Sequence, residues 1–360
     1  MTLLIFLVVL SILIFVHELG HFWMARRSGI KVEEFGFGFP PKIWSKKFGE
    51  TIYSINALPV GGFVKLYGED ESVDKDIPHA FYHKGKLARA RIVVAGVLMN
   101  FLLAVLCFGI ISWVVGVPRQ TEDVRIVGVA ENSPAFEEGL RDGDVVISVD
   151  GQRVAKTDVF TNVVKNKGGQ EIALKIKRDG VEIDTKVTPR ASPPEGEGPL
   201  GVLVSSVETF YPPFWQRPFV SFWEGLKEAI FWAQTTVLAV VGTIAQLTRG
   251  TPPEGIAGPV GIFQITGVVA RQGILPLLSF VGILSINLAV LNILPFPALD
   301  GGRLLFIIVE TIFGRRVLPK FERMAHTIGM IVLLILILLV TLSDVRRLLS
   351  GGFDFLQNPQ

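Results

Sequence analysis

Two histidines and a glutamate near the N-terminus form the pattern in this chain that is best suited to chemistry. His17, Glu18 and His21 belong to the pentapeptide His-Glu-Leu-Gly-His at positions 17–21. In a helix, residues at i and i+4 share one face, so both imidazoles can reach a single metal ion. The glutamate lies beside that ion and can accept a proton from an activated water. The spacing therefore predicts a catalytic zinc site.

The histidine pair lies at the end of an apolar segment, which predicts a position inside a membrane. Residues 3–25 are about as long as the ~20 residues that a helix needs to cross the hydrocarbon core. Arg26 follows His21 by five residues, or roughly 7 to 8 Å of helix. Ionisable groups at such a depth are costly and are usually functional. The alternative is that the motif is solvated where the helix leaves the membrane.

A catalytic zinc site needs a third protein ligand, and Asp300 is the strongest candidate. It lies in the segment Asn-Ile-Leu-Pro-Phe-Pro-Ala-Leu-Asp-Gly-Gly at positions 292–302. The prolines and glycines interrupt a helix at the end of an apolar block, where irregular backbone must be buried in protein or line a wet cavity. Asn292 could hydrogen-bond a substrate backbone or an oxyanion. The alternative for Asp300 is a capping residue in a loop.

The composition indicates a membrane protein with sizeable polar parts. Of the 360 residues, 49% are hydrophobic and 19% are charged, and the net charge is +2. No basic cluster is interleaved with aromatic residues, so nothing indicates nucleic-acid binding. Cys107 is the only cysteine, which excludes a disulfide framework and a thiolate metal site. Four apolar blocks are typical of membrane spans, at residues 3–25, 92–117, 274–294 and 327–342.

Basic residues predict the orientation of these spans. They concentrate in residues 26–91 and again between the last two spans, so the positive-inside rule places both segments in the cytoplasm. The segment 118–217 then lies outside. A fifth apolar stretch, 229–247, is only moderately hydrophobic, and if it crossed it would carry Asp300 away from the histidines. We therefore expect residues 215–247 to form helices on or within the outer leaflet.

The two motifs together resemble the site-2 protease family of intramembrane metalloproteases, closest to the bacterial regulator of sigma-E protease type. The resemblance implies that His17, His21 and Asp300 bind Zn²⁺ and that Glu18 is the catalytic base. Val97 departs from the proline that relatives commonly have. The similarity covers nearly the whole chain, and three further stretches agree with it, at residues 34–41, 58–65 and 96–101.

Two segments outside the spans predict β structure. Between residues 118 and 190, β-rich runs alternate with turns, and 133–151 resembles a permuted PDZ domain, which binds a peptide by strand addition. A generic small β domain is the alternative, and no second copy is expected. In the cytoplasmic loop, runs on either side of residues 59–62 predict a β-hairpin that re-enters the membrane in the family. Such an edge can pair with an unwound substrate and present its carbonyl to the metal. We expect substrate contacts at Asn292, Pro295, Pro297, Asn100, Gly61 and Gly62.

The expected fold is a polytopic α-helical membrane protein with four transmembrane helices, a re-entrant β-hairpin and one extracytoplasmic PDZ domain. The expected segments are transmembrane helix 1 (1–25), a cytoplasmic loop (26–91) with the hairpin at about 51–67, transmembrane helix 2 (92–117), the PDZ domain (118–190), a linker with outer-leaflet amphipathic helices (191–273), transmembrane helix 3 ending in the Leu-Asp-Gly motif (274–300), a cytoplasmic loop (301–325), transmembrane helix 4 (326–345) and a tail (346–360).

The expected function is an intramembrane zinc endopeptidase of the bacterial plasma membrane. Its expected partners are the lipid bilayer, a peptide at the PDZ domain, and single-pass membrane substrates such as pre-trimmed anti-sigma factors or remnant signal peptides. Histidine and carboxylate ligands leave Fe, Mn and Co open. Two alternatives are a membrane-anchored zinc protease that faces the cytosol and a non-catalytic PDZ adaptor. His79 and His83 are interpreted as a solvated pair, and His326 as a helix-end residue.

Overall fold

The computed structural model describes residues 1–68, 80–194, 196–250, 257–315 and 319–349. The chain forms two compact units, one made of Met1–Val114 with Trp215–Gln360 and the other of Val115–Phe214. His79 and most of the predicted C-terminal tail lie outside the described residues.

The described helices are α1 (Thr2–Arg27), α2 (Lys86–Val115), α3 (Pro134–Glu137), α4 (Thr157–Asn166), α5 (Arg217–Thr248), α6 (Pro259–Gln272), α7 (Ile274–Ile293), α8 (Asp300–Phe313) and α9 (Pro319–Leu349). The described strands are β1 (Val32–Phe48), β2 (Thr51–Leu66), β3 (Val117–Val129), β4 (Val145–Val149), β5 (Gln152–Arg153), β6 (Ile172–Arg178), β7 (Val181–Val187) and β8 (Val202–Phe210).

Five helices in the described part of the chain are long and apolar enough to cross a membrane, namely α1, α2, α5, α7 and α9. Four of them overlap the predicted spans. The fifth, α5, is one continuous helix of 32 residues where several amphipathic helices were expected.

Helix α5 lies directly against two other apolar helices. Its buried residues are Ser221, Gly225 and Ala229, which follow a spacing of four and therefore share one face. A side chain at Gly225 would overlap the backbone of α2. Further along, the Thr236 hydroxyl donates a hydrogen bond of 2.7 Å to Asn287 on α7. Small residues thus permit close packing of α5 on its neighbours.

The third predicted span ends earlier than expected. Helix α7 stops at Ile293, and the chain continues in irregular form to Leu299 before α8 begins. Pro295 and Pro297 account for the break, because proline has no backbone N–H and disfavours a helical residue before it. The span predicted for residues 274–300 is therefore a shorter helix followed by a tight turn.

The predicted cytoplasmic loop at 301–325 is largely helical. Helix α8 occupies its first half, and α9 begins at Pro319, seven positions before the predicted start of the last span. On the buried face of α8, Ile307 packs in a cluster with Ile92 and Val93 of α2. Burial of this face explains why the segment is ordered as a helix.

The β structure between α1 and α2 is larger than predicted. β1 and β2 pair in an antiparallel hairpin that turns at Gly49 and Glu50. The predicted turn at 59–62 lies within the bounds of β2, and the chain reverses direction there: residues 52–55 pair with 34–37 in a parallel register, whereas residues 62–65 pair with the same residues in an antiparallel register. Gly61, with φ of 86°, lies in this reversal. The sheet packs on α1 through Phe35, whose ring stacks on Phe22 at a centroid distance of 4.8 Å.

The second unit is a β domain built on one sheet, in which all the described strand pairs are antiparallel. The strand order is β7-β6-β4-β3-β8, and β5 pairs with β4. Strand β8 comes from the predicted linker and pairs along β3 from Val117 to Val129. The unit therefore extends beyond the predicted boundary at 190, because β3 buries its backbone hydrogen-bonding groups only when β8 covers it.

A buried ion pair ties this domain together. Arg178 donates two hydrogen bonds of 2.7 and 2.6 Å to the carboxylate of Asp144, which is fully buried. Burial by itself raises the pKa of Asp144, but the bonds from Arg178 and from the Arg141 backbone outweigh it and hold the pKa below its usual range.

Candidate metal centre

Three side chains from two distant segments converge at one point. The Nε2 atoms of His17 and His21 lie 2.9 and 3.3 Å from Oδ2 of Asp300, and 3.1 Å from each other. Their ligand atoms all lie within 4.8 Å of one another. Helix α1 supplies both histidines from consecutive turns, and the first residue of α8 supplies the carboxylate.

The three residues fit a divalent metal. Two imidazole nitrogens and one carboxylate oxygen are a donor set of open catalytic zinc sites, which keep one position for water or substrate. Oδ2 of Asp300 is buried and accepts no well-formed hydrogen bond in the described part of the chain, although both imidazoles are close. Three lone-pair atoms facing one another need a cation between them.

The ring of His21 is oriented by the backbone of α2. Its Nδ1 lies 2.8 Å from the carbonyl oxygen of Ile92. A carbonyl can only accept, so the proton is assigned to Nδ1 and the Nε2 lone pair is left for the metal. This arrangement of a ligand histidine with a carbonyl behind it is common in metal sites.

Asn100 lies behind His17 on α2. Its side chain is fully buried, and its amide is 3.5 Å from Nδ1 of His17. If Nε2 of His17 binds metal, Nδ1 carries a proton and needs an acceptor. Rotating the amide by 180° places its otherwise unpaired Oδ1 opposite that proton. The predicted substrate contact of Asn100 is therefore not supported, because its side chain faces a ligand and has no exposed surface.

Two glycines let α1 and α2 approach closely enough to build this centre. A side chain at Gly20 would overlap the backbone of Ala95. A side chain at Gly96 would overlap Nε2 of His21 and lie 2.8 Å from Cε1 of His17. Gly96 is thus the point at which α2 passes directly behind both imidazoles.

Gly96→Ala is expected to weaken zinc binding by at least about tenfold, because the new methyl group must displace one or both ligand rings. Zinc affinity can be measured by competition with a chromogenic chelator on the purified chain. Gly242→Ala is the matched control, since a side chain at that helical position meets nothing within 4 Å. Unchanged zinc affinity in Gly96→Ala would contradict the described packing.

The centre opens into a cavity of about 690 Å³ within the first unit. Glu18 lines it together with the three converging residues. Strand β2 forms one wall, and a side chain at Gly62 would lie 3.8 Å from Cγ of Glu18. Other lining residues come from four elements: Phe63, Val64 and Leu66 from β2, Ile92 and Val93 from α2, Arg303 from α8, and Glu322, Arg323 and His326 from α9.

The remaining predicted substrate residues are not among the residues that line this cavity, although three of them are neighbours in sequence of residues that do. Gly61 and Gly62 precede the lining residues of β2, and Pro297 precedes the lining residues Ala298 and Leu299. Asn292 and Pro295 lie in and just after the end of α7. Substrate binding by these residues stays a prediction.

The sequence interpretation missed His326, which lines the cavity instead of only ending a helix. It lies in α9, a helix apolar enough to cross a membrane. An ionisable residue in or near a membrane helix is usually functional, and this feature of the sequence could have indicated His326. Its partner, however, is a backbone group in the turn before α8, which no sequence pattern identifies.

Comparison with known proteins identifies the family of this chain. The model of Peptidase family M50 matches residues 5–336. Zinc metalloprotease RasP of Geobacillus kaustophilus is 32% identical over 423 aligned positions, which cover 95% of this chain and 97% of that protein. Regulator of sigma-W protease RasP of Bacillus subtilis is 30% identical over 431 positions, which cover 96% and 99%. A PDZ domain of an SdrC-like protein from Listeria monocytogenes is 19% identical with a TM-score of 0.21, covering 23% of this chain and 87% of that domain.

The match to the family model spans most of the chain, and the relatives are covered almost end to end. The long apolar helices agree with the membrane location that the sequence predicts. The chain belongs to peptidase family M50 and is a bacterial membrane zinc metalloendopeptidase of the site-2 protease type.

Proposed function

We propose that this enzyme hydrolyses peptide bonds within the membrane-embedded segments of single-pass membrane proteins. The metal ligands are His17, His21 and Asp300, and the catalytic base is Glu18. One observation supports this above all. The histidine pair of an apolar helix and an aspartate after the break of another apolar helix meet at 2.9 to 3.3 Å in one cavity.

Each protein group has a definite task. A bound zinc ion supplies a Lewis acid that polarises a carbonyl and acidifies water. Glu18 follows a ligand directly in α1 and lines the cavity, so it is placed to take a proton and later return it to the leaving amine. Ile92 and Asn100 hold the two imidazoles from behind.

The wall formed by β2 suits an extended substrate. In a transmembrane helix the scissile bond is shielded by the helix's own hydrogen bonds. Among the described strands, residues 62–66 pair on one side only, with β1. Their other edge can accept an unwound substrate segment by strand addition, beside Glu18.

The orientation follows from the charges at the end of α1. Arg26 and Arg27 lie in the last turn of α1, five and six residues after His21, which favours a metal centre near the cytoplasmic face. In this proposal α1, α2, α7 and α9 cross the membrane, which keeps the two histidines and Asp300 on the same side. Helix α5 packs on α2 and α7, so we place it in the apolar part of the membrane beside them. We place the second unit outside and assign it as a PDZ domain, in which β8 offers an edge for a peptide.

The substrates we propose are anti-sigma factors that have already been trimmed outside, or remnant signal peptides. The Bacillus subtilis relative is a regulator of sigma-W protease, which supports the first class. A folded domain outside the membrane would hinder the approach of the substrate to this enzyme. We therefore expect another protease to remove that domain before the cut within the membrane.

A cytosol-facing zinc protease is the second candidate that the sequence left open. It requires a glutamate ligand from a soluble helix, whereas the metal-ligand cluster found in the described residues uses Asp300. The structure therefore favours the intramembrane reaction.

The test is cleavage of a single-pass membrane protein that is reconstituted with this enzyme in liposomes. Mass spectrometry of the products locates the cut, which we expect inside the apolar segment of the substrate. A cut confined to the soluble flanks would contradict the proposed function.

A further inference from the structure

We infer that His326 on α9 is a positioning residue that holds the turn before α8 and thereby places Asp300 among the metal ligands. The observation behind this inference is the contact between its imidazole and the backbone N–H of Ala298. The inference rests on the proposed function, because it treats Asp300 as a ligand.

The turn before α8 has an unusual backbone. Ala298 has a φ of 81°, in the left-handed region that residues with a side chain rarely adopt. Such a conformation persists only when its surroundings hold it in place. Ala298 lies two residues before Asp300, so its torsion angles set the direction in which the chain enters α8. Any relaxation at this position moves the carboxylate relative to the histidines of α1.

Helix α9 holds this turn at two positions on one face. The backbone N–H of Ala298 donates a hydrogen bond of 3.0 Å to Nδ1 of His326. Three residues later, a side chain at Gly329 would overlap the carbonyl group of Pro297. On the other side, the ring of Phe306 in α8 lies 5.8 Å from the imidazole of His326. The imidazole is therefore located between the turn and the helix that the turn begins.

The hydrogen bond also determines which nitrogen carries a proton. A backbone N–H can only donate, so Nδ1 of His326 is unprotonated and Nε2 carries the hydrogen of the neutral ring. Nε2 is buried and has no hydrogen-bond partner within the described ranges. The ring is thus held through Nδ1, and the chemical requirement at this position is a hydrogen-bond acceptor placed where Nδ1 lies.

Three substitutions separate this requirement from simple packing. In His326→Asn the side-chain oxygen can take the place of Nδ1. In His326→Gln the amide reaches the position of Nε2 instead, and His326→Phe keeps a ring without any acceptor. We expect His326→Asn to retain a zinc affinity close to that of the unaltered enzyme. We expect His326→Gln and His326→Phe to weaken it by about 10- to 100-fold, the usual effect of losing support behind a metal ligand.

The measurement is chelator competition for zinc on the purified full-length enzyme, with thermal unfolding recorded for each variant. A common loss of affinity in all three variants, or no loss in any, would overturn the inference, because neither pattern depends on an acceptor at Nδ1. Asp300→Asn is measured in the same assay. If Asp300→Asn keeps normal zinc affinity, the proposed function fails. If Asp300→Asn loses zinc while His326→Gln and His326→Phe do not, only the role of His326 fails.

Discussion

Glu18→Gln is expected to lower the rate of substrate cleavage by about 10²- to 10⁴-fold, the usual contribution of a general base. Glutamine has nearly the same size as glutamate and can still form hydrogen bonds, but it cannot take up a proton at neutral pH. Glu18 lines the cavity without belonging to the cluster of converging ligand atoms. Bound zinc should therefore be unchanged in this variant.

Two measurements on the same preparation check this expectation. Cleavage of a reconstituted single-pass substrate gives the rate, and elemental analysis gives the zinc content. Glu137→Gln is a suitable control, since it makes the same chemical change at an exposed residue of the second unit. Undiminished cleavage by Glu18→Gln would exclude Glu18 as the base, whatever the zinc content.

Asp300→Asn should abolish tight zinc binding and, with it, cleavage. The amide has the shape of the carboxylate but no negative charge, and it removes one of the three protein ligands of an open zinc site. We expect its loss of zinc affinity to exceed the about 10- to 100-fold loss expected for Asn100→Leu, which removes an acceptor behind His17 and leaves the ligands in place.

The comparison uses chelator competition on Asp300→Asn, Asn100→Leu and a control, Glu322→Gln. Glu322 lines the same cavity but does not belong to the ligand cluster, so its substitution should leave zinc affinity near normal. Equal zinc affinity in Asp300→Asn and the unaltered enzyme would show that another group provides the third ligand.

The family and the metal could be predicted from short, local patterns. His17 and His21 face one ion because any helix brings i and i+4 together, and the apolar residues before them predict a membrane helix without knowledge of the fold. The predicted family, the zinc dependence and the protease activity are confirmed by the comparisons. The roles of the individual site residues stay predictions, although the structure brings His17, His21 and Asp300 together.

Other expectations failed where long-range pairing decided the outcome. The reversal expected at residues 59–62 is present, but the pairing of residues 51–56 with residues 42–48 in an additional hairpin was not expected. The region after 190 resembles a linker, yet β8 completes the sheet of the second unit. Asn100 was expected at the substrate, but it faces His17 because α1 and α2 approach each other closely at Gly20 and Gly96.

The chemistry of this protein could be predicted from local features of its sequence. Ligand types, their helical spacing, the apolar context and the break before Asp300 are all local properties of the chain. The groups that support this chemistry are brought together by the packing of distant segments. Ile92, Asn100 and His326 act on ligands or turns that lie 28 to 83 residues away in sequence. Such contacts arise from the packing of whole helices, and no local pattern of residues specifies them.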